Sequence, residues 1–289
     1  MRLFPRDVPR RLTQGLGRLA LAGSLAVAVM LTPPQAEAAD RQRVDAFLTV
    51  TGFDVALESI KLSAKDAPAM LGVNANDFGL SWTRLADQVF DVQVMQDMGA
   101  EMLEETLSDE ALAHAADFYA TDLGQRLVAA ENDSHMAERS DKMESGAEMI
   151  ERFKTEDPER VAIFDRMMRA IGSAESALNS SNELQIRFLM AAAGAGIVEL
   201  KMDEQGMRAL QAENREEALA SIRESSLKSA AVTYRDFSND ELQTYAEALE
   251  DPLMQEVYEL MNAVQFEIMA NRFEVVAQRM RGLDPGQEL

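Results

Sequence analysis

The chain holds two histidines, and each follows a glutamate by four residues: Glu110 precedes His114, and Glu131 precedes His135. Four residues is one turn of helix, so each pair shares a face. Such a couple can share a proton or occupy two corners of a metal site. A zinc site needs three or four converging ligands, and the chain has no cysteine and no His-Glu-x-x-His pattern. His114 and His135 are the metal-ligand candidates, and exposed pairing along a helix is the plainer alternative. Met95, Met98 and Met102 repeat at helical spacing, a thioether arrangement suited to Cu(I). Val92, Gly99 and Leu103 widen that stripe into an ordinary apolar face, which methionine fills readily. In "NANDFG", Asn74 to Gly79, the glycine falls at the sixth position of a calcium loop, but Leu85 occupies the place of the bidentate glutamate. Ser225-Ser226-Leu227-Lys228 matches Ser-x-x-Lys without the accompanying Ser-Asp-Asn and Lys-Thr-Gly elements. Adjacent acids such as Glu104-Glu105 and Glu216-Glu217 diverge around a helix and cannot converge as a glycosidase pair. No catalytic residues are assigned, and no cofactor is implied.

A different candidate lies in "LSDEALAHAADFYATDLGQRL", Leu107 to Leu127. Ser108 reads as a helix N-cap, and Phe118-Tyr119 falls at the far end of the helix it opens. Gly124 permits close backbone approach just beyond. Two aromatics there can plug the crevice between crossing helices, or line a groove. Phe118, Tyr119 and Gly124 are therefore the ligand-binding candidates. At an offset of 130 positions, "FSNDELQTYAEALEDPLMQEV" pairs Ser238 with Ser108, Leu242 with Leu112, Ala246 with Ala116, Leu253 with Leu123 and Gln255 with Gln125. The second stretch keeps the cap and the break but carries Ala248-Leu249 and Met254 in place of Phe-Tyr and Gly. This points to a duplication in which the first copy is the better place for a site.

The first stretch resembles the secreted bacterial family catalogued as domain of unknown function 2059, on Ser108, Glu110, Leu112, Phe118-Tyr119, Gly124 and Arg126. The resemblance covers about 50 residues. It implies a helical, exported protein and no known activity.

The elements that must position these residues are helical. Asp157-Pro158 and Asp251-Pro252 each read as an N-cap followed by proline at the first helical position. Ser238 to Glu241 is a capping box. Val161, Phe164, Met168 and Ile171 step at three and four residues, as do Val257, Leu260, Met261, Val264 and Ile268. Alternating strand patterns between hairpin turns are absent. These signals predict helices near 41–60, 80–106, 109–120, 122–154, 158–171, 183–202, 204–234, 239–250 and 252–281. Loops are expected at Val73–Gly79 and at the polar seam Gly172–Asn182. "FLMAAAGAGIV", Phe188 to Val198, reads as a central buried helix. The expected fold is all-α: a multi-helix bundle of two related halves, 39–172 with the Phe-Tyr/Gly motif and 183–281 diverged, with a flexible tail at 282–289.

Residues 1–38 read as a secretory signal peptide. Five arginines precede an apolar run of about 13 residues, Leu19 to Leu31, which is followed by Ala36-Glu37-Ala38. Such a run is short of the ~20 residues that span a bilayer. The chain has 28 basic and 50 acidic residues, a net charge of −22, and losing the leader deepens that excess. The field disfavours nucleic acid, whose binding requires phosphate neutralisation. The expectation is an exported, periplasmic or secreted protein that is not an enzyme. It would bind an envelope partner or a small apolar ligand, with no integral membrane segment after cleavage. The alternative is a metal handler or enzyme acting through His114, His135 and nearby carboxylates. Mass spectrometry of the exported protein should find a mature N-terminus directly after Ala38; recovery of the intact Met1 terminus from the periplasm would contradict the leader assignment.

Overall fold

The computed structural model describes residues 40–64, 67–72 and 79–282. The expected leader, most of the expected Val73–Gly79 loop and the tail beyond residue 282 lie outside the described residues. Every regular element described is a helix, which bears out the all-α expectation.

The chain opens with α1 (Arg41–Thr51), α2 (Phe53–Ser63), the single turn α3 (Ala67–Met70), α4 (Gly79–Val89) and α5 (Val92–Thr106). Next come α6 (Asp109–Tyr119), α7 (Asp122–Met136), α8 (Arg139–Glu156) and α9 (Pro158–Ile171). The last five are α10 (Ala174–Gly194), α11 (Glu204–Glu213), α12 (Arg215–Thr233), α13 (Asn239–Leu249) and α14 (Pro252–Met280). At 1.5 Å per residue α14 is about 43 Å long. Its side chains from Met254 through Val257, Met261, Val264, Ile268 and Phe273 to Met280 are buried. The other helices pack around it, with α4, α5, α6, α9 and α10 in direct contact. No helix described is long and apolar enough to cross a membrane.

The cap signals hold. Asp157 and Asp251 accept from the backbone N–H groups of Arg160 and Leu253, each with proline in the first turn. Ser238 and Glu241 form the capping box. Four expected long helices are each broken in two. Gly52 adopts φ 72° between α1 and α2, and Asp91 starts α5 afresh as an N-cap. Extended residues Ala137 and Glu138 divide α7 from α8, and Asn214 divides α11 from α12. The polar seam is also revised. Ser173 caps α10, and the following Ser- and Asn-rich residues are helical, because small polar side chains are accommodated on a face that only half faces the core. The "FLMAAAGAGIV" helix stops at Gly194 and exposes Met190; the central position belongs to α14.

The two quoted stretches fold alike. α6 and α13 are both 11 residues long, each capped by the serine before it, and each followed after two residues by the next helix. Their cross-contacts are reciprocal. Ser108 at the start of α6 donates to Glu256 on α14 (3.3 Å), while Glu241 at the start of α13 accepts from Arg126 on α7. Positions 126 and 256 correspond at the 130-residue offset. The Met95, Met98 and Met102 stripe packs into the core, Met95 fully buried.

A close backbone approach joins α8 to α12 at Gly146. A Cβ added to Gly146 would lie 2.3 Å from the Lys228 carbonyl oxygen, which belongs to backbone and cannot swing aside. Gly146→Ala must push the two helices apart and should cost about 1–3 kcal/mol, read as a fall in the urea midpoint. An unchanged midpoint would show that the crossing is looser than described.

Candidate functional site

The sequence holds four tyrosines, and all four hydroxyls meet. Tyr119 ends α6, Tyr234 caps α12, Tyr245 sits in α13, and Tyr258 sits two turns into α14. The Tyr119 hydroxyl lies 2.9 Å from that of Tyr245 and 2.5 Å from that of Tyr258, and those two are 3.0 Å apart. Tyr245 and Tyr234 each reach Glu131 Oε1 on α7 at 2.8 Å. Phe118 supports the cluster from outside, its ring stacked on Tyr245 at 5.8 Å and edge-on to Tyr119 at 5.2 Å. Such aromatic pairs add about 0.5–1.5 kcal/mol beyond burial.

Gly124 makes the arrangement possible. A Cβ there would lie 2.4 Å from the Phe118 carbonyl oxygen and 2.6 Å from Tyr119 Cα. With Gly124, α7 folds directly against the end of α6, its first turn capped by Thr121 Oγ1 (3.0 Å). Glu131 lies seven residues further along, on the same face of α7, and so comes under Tyr119's neighbours. Arg160 anchors the other side. It is 6% exposed, and its guanidinium donates to the carbonyls of Tyr234 (2.6 Å) and Phe237 (2.8 Å) and to Asn239 Oδ1 (2.9 Å). It thereby holds the corner between α12 and α13 that presents Tyr234.

The cluster contains five short oxygen–oxygen contacts. Each phenol carries one proton, so four phenols supply four donors. With Glu131 ionised, one contact has lone pairs facing each other. With the carboxyl ionised, Tyr234 and Tyr245 both donate to Oε1; a proton on Glu131 adds the fifth donor and frees the Tyr245 proton for the Tyr119–Tyr245–Tyr258 triangle. Burial acts in the same direction, pushing the Glu131 carboxyl above its ordinary value against the opposing pull of Tyr234 and Tyr245. Burial also raises all four phenols, so they stay protonated.

Glu131 is half-buried because it opens onto a cavity of about 310 Å³. Asn132, Ser134, His135 and Lys142 line the same space with Tyr234, Tyr245 and Tyr258, and Met167, Met168, Ile171, Leu249 and Met261 supply apolar wall. The Asn132 Oδ1 is buried without a hydrogen-bond partner. Burial lowers both the His135 imidazole and the Lys142 ammonium from their ordinary values. A second cavity of about 840 Å³ adjoins the first, sharing Met168, Ile171, Ser226, Asn262 and Gln265. Leu184, Ile222, Leu227, Phe266 and Met269 line it further out. Both volumes fall in the ~300–1,000 Å³ range of small-molecule sites.

Of the candidates read from sequence, Tyr119 and Phe118 belong to the cluster, Gly124 shapes it, and His135 lines the cavity. His114 does not line it; its Nε2 lies 3.2 Å from Asp251 Oδ1, at the cap of α14. Among the described residues no group of three or more His, Cys, Asp or Glu is placed to hold a metal. The sequence pattern does not single out Glu131 beyond its spacing from His135, nor Tyr234, Tyr245, Tyr258, Lys142 and Arg160. The rarity of tyrosine was the available signal.

Residues 93–152 match the family described as an uncharacterized protein conserved in bacteria (DUF2059), which bears out the resemblance carried by the Phe-Tyr/Gly stretch. The match spans Tyr119, Gly124, Glu131, His135 and Lys142, whereas Tyr234, Tyr245 and Tyr258 come from outside it. No curated protein and no solved structure matches the chain.

A glutamate that binds its proton more tightly when folded contributes stability in acid, and that contribution is lost as pH rises through the raised folded value. Glu131→Gln, a neutral mimic of the acid, should therefore gain in melting temperature relative to wild type as pH rises above the ordinary glutamate value of about 4.3. Glu131→Ala should lose stability across that range, by about 1–3 kcal/mol, because the phenols lose their acceptor. A constant difference between wild type and Glu131→Gln would contradict the shared-proton account.

Proposed function

We propose that this is an exported, non-enzymatic protein of the bacterial envelope that takes a small apolar or amphipathic molecule into the two adjoining chambers between α9, α10, α12 and α14. The observation that carries this reading is the shared wall of Met168, Ile171, Ser226, Asn262 and Gln265, which joins a polar inner chamber to a larger apolar one. The inner chamber offers Glu131, His135, Lys142 and three phenols, and the outer one adds Leu184, Ile222, Leu227, Phe266 and Met269 beside its serines, the mix of apolar wall and polar groups of a ligand pocket. The signal-like leader supports export. The reciprocal contacts of α6–α7 with α13–α14 support reading them as diverged copies. In that reading Glu131 and Met261 occupy matching positions, and both line the inner chamber.

The neutral apolar dye N-phenyl-1-naphthylamine should bind the native protein saturably, one per chain. Ser226→Trp, placed in the shared wall, should weaken it at least about tenfold while the melting temperature holds. No saturable binding by the folded wild-type protein would overturn the reading.

A further inference from the structure

We infer that the ligand is a single-chain amphiphile with a carboxylate head, of the fatty-acid class, its head held by Lys142 in the inner chamber and its chain laid through the shared wall into the outer one. This rests on the two-chamber reading above and specifies which end of the ligand goes where, and what charge it carries.

Lys142 is the group that decides it. It belongs to the first turns of α8, is half-buried, and lines the inner chamber. Its ammonium donates to the Ser134 carbonyl (2.9 Å) and the Ser134 hydroxyl (3.1 Å). Those two bonds satisfy a carbonyl at the end of α7 and use two of the three ammonium protons. No carboxylate among the described residues forms an ion pair with Lys142, in a chain where acids outnumber bases 50 to 28. An ammonium removed from water without a counter-charge is costly, and an anionic ligand head supplies both the missing charge and the acceptor for the third proton.

The other ionisable groups of the inner chamber do not oppose this. Glu131 is the only carboxylate lining it among the described residues, and burial pushes that carboxyl above its ordinary value. His135 adds no negative charge. In the outer chamber Arg169 and Arg223 are already paired, with Asp165 and Glu175 respectively. Leu184, Ile222, Leu227, Phe266 and Met269 give it an apolar wall that suits hydrocarbon, beside a rim that includes Ser173, Ser176, Ser180 and Ser181. The chain's net negative charge acts over long range and is screened within about 8–10 Å at physiological ionic strength, so it slows approach more than it weakens a contact inside the chamber. One ammonium proton matches a singly charged carboxylate. A phosphate head would call for the paired fork of an unengaged arginine, and the arginines here have partners.

Displacement of bound N-phenyl-1-naphthylamine separates head from chain. Dodecanoate should displace the dye at a concentration at least about tenfold below dodecanol from the wild-type protein. Lys142→Met should abolish that preference, bringing the two ligands to similar displacing concentrations, and Lys142→Arg should restore part of it. A melting curve for each variant distinguishes loss of the head contact from loss of the α7 end. Dye binding with no carboxylate preference in the wild type, or a preference that survives in Lys142→Met, overturns the head-group assignment while leaving the chambers standing. Failure of the dye itself to bind overturns the chambers, and the head-group assignment with them.

Discussion

A carboxyl group carried between packed helices must be given hydrogen-bond donors or lose its charge, and Glu131 does some of each. Two phenols reach its Oε1 directly, and two more complete the network through Tyr245. Because the four tyrosines come from α6, the end of α12, α13 and α14, this one carboxyl ties together segments that lie more than a hundred residues apart in the chain. Each hydroxyl depends on its neighbours for a partner, so the cluster is satisfied as a unit. The rest of the site follows from it. Gly124 sets α7 at the angle that brings Glu131 in, Arg160 holds the corner that presents Tyr234, and Phe118 backs the ring of Tyr245.

This explains why a helical protein would keep a Phe-Tyr pair and a glycine close together. The aromatics and the glycine are two halves of one packing decision: the glycine removes a side chain where the backbone of Phe118 and Tyr119 must pass. The corresponding region of α13 and α14 carries Ala248-Leu249 and Met254, and there the two helices are joined by the Tyr245 and Tyr258 hydroxyls, 3.0 Å apart. The cluster draws Tyr245 and Tyr258 from that second region, and Tyr119 and the carboxyl from the first, so neither helix pair could build it alone.

Much of the scaffold is legible in the sequence because it depends on local chemistry. The serine and aspartate caps, the Asp-Pro helix starts and the three-four spacing on α9 and α14 each act within a turn of helix, and each appears as read. The breaks at Asp91, Ala137 and Asn214 are less legible, since extended or irregular backbone there serves tertiary packing more than local preference. Gly52 is intermediate: its left-handed φ is one that glycine reaches freely, yet it also passes Asn132 and Val128 at a distance that excludes a side chain. The site is legible only in its first-copy residues. Tyr119 and Gly124 stand in a recognisable stretch, but Tyr234, Tyr245 and Tyr258 look like ordinary core aromatics until the fold brings their hydroxyls to one carboxyl. Lys142 likewise gives no hint in sequence that it will have no acidic partner among the described residues.

The shared proton of Glu131 is the central claim, and it can be observed directly. Carbon-13 NMR of the glutamate side-chain carboxyls, with the Glu131 resonance assigned by its loss in Glu131→Gln, follows that proton as pH is raised. The account predicts a titration midpoint clearly above the ordinary glutamate value of about 4.3, with the tyrosine ring resonances of the cluster shifting in step. A midpoint at or below that value, or tyrosine resonances indifferent to it, would contradict the account.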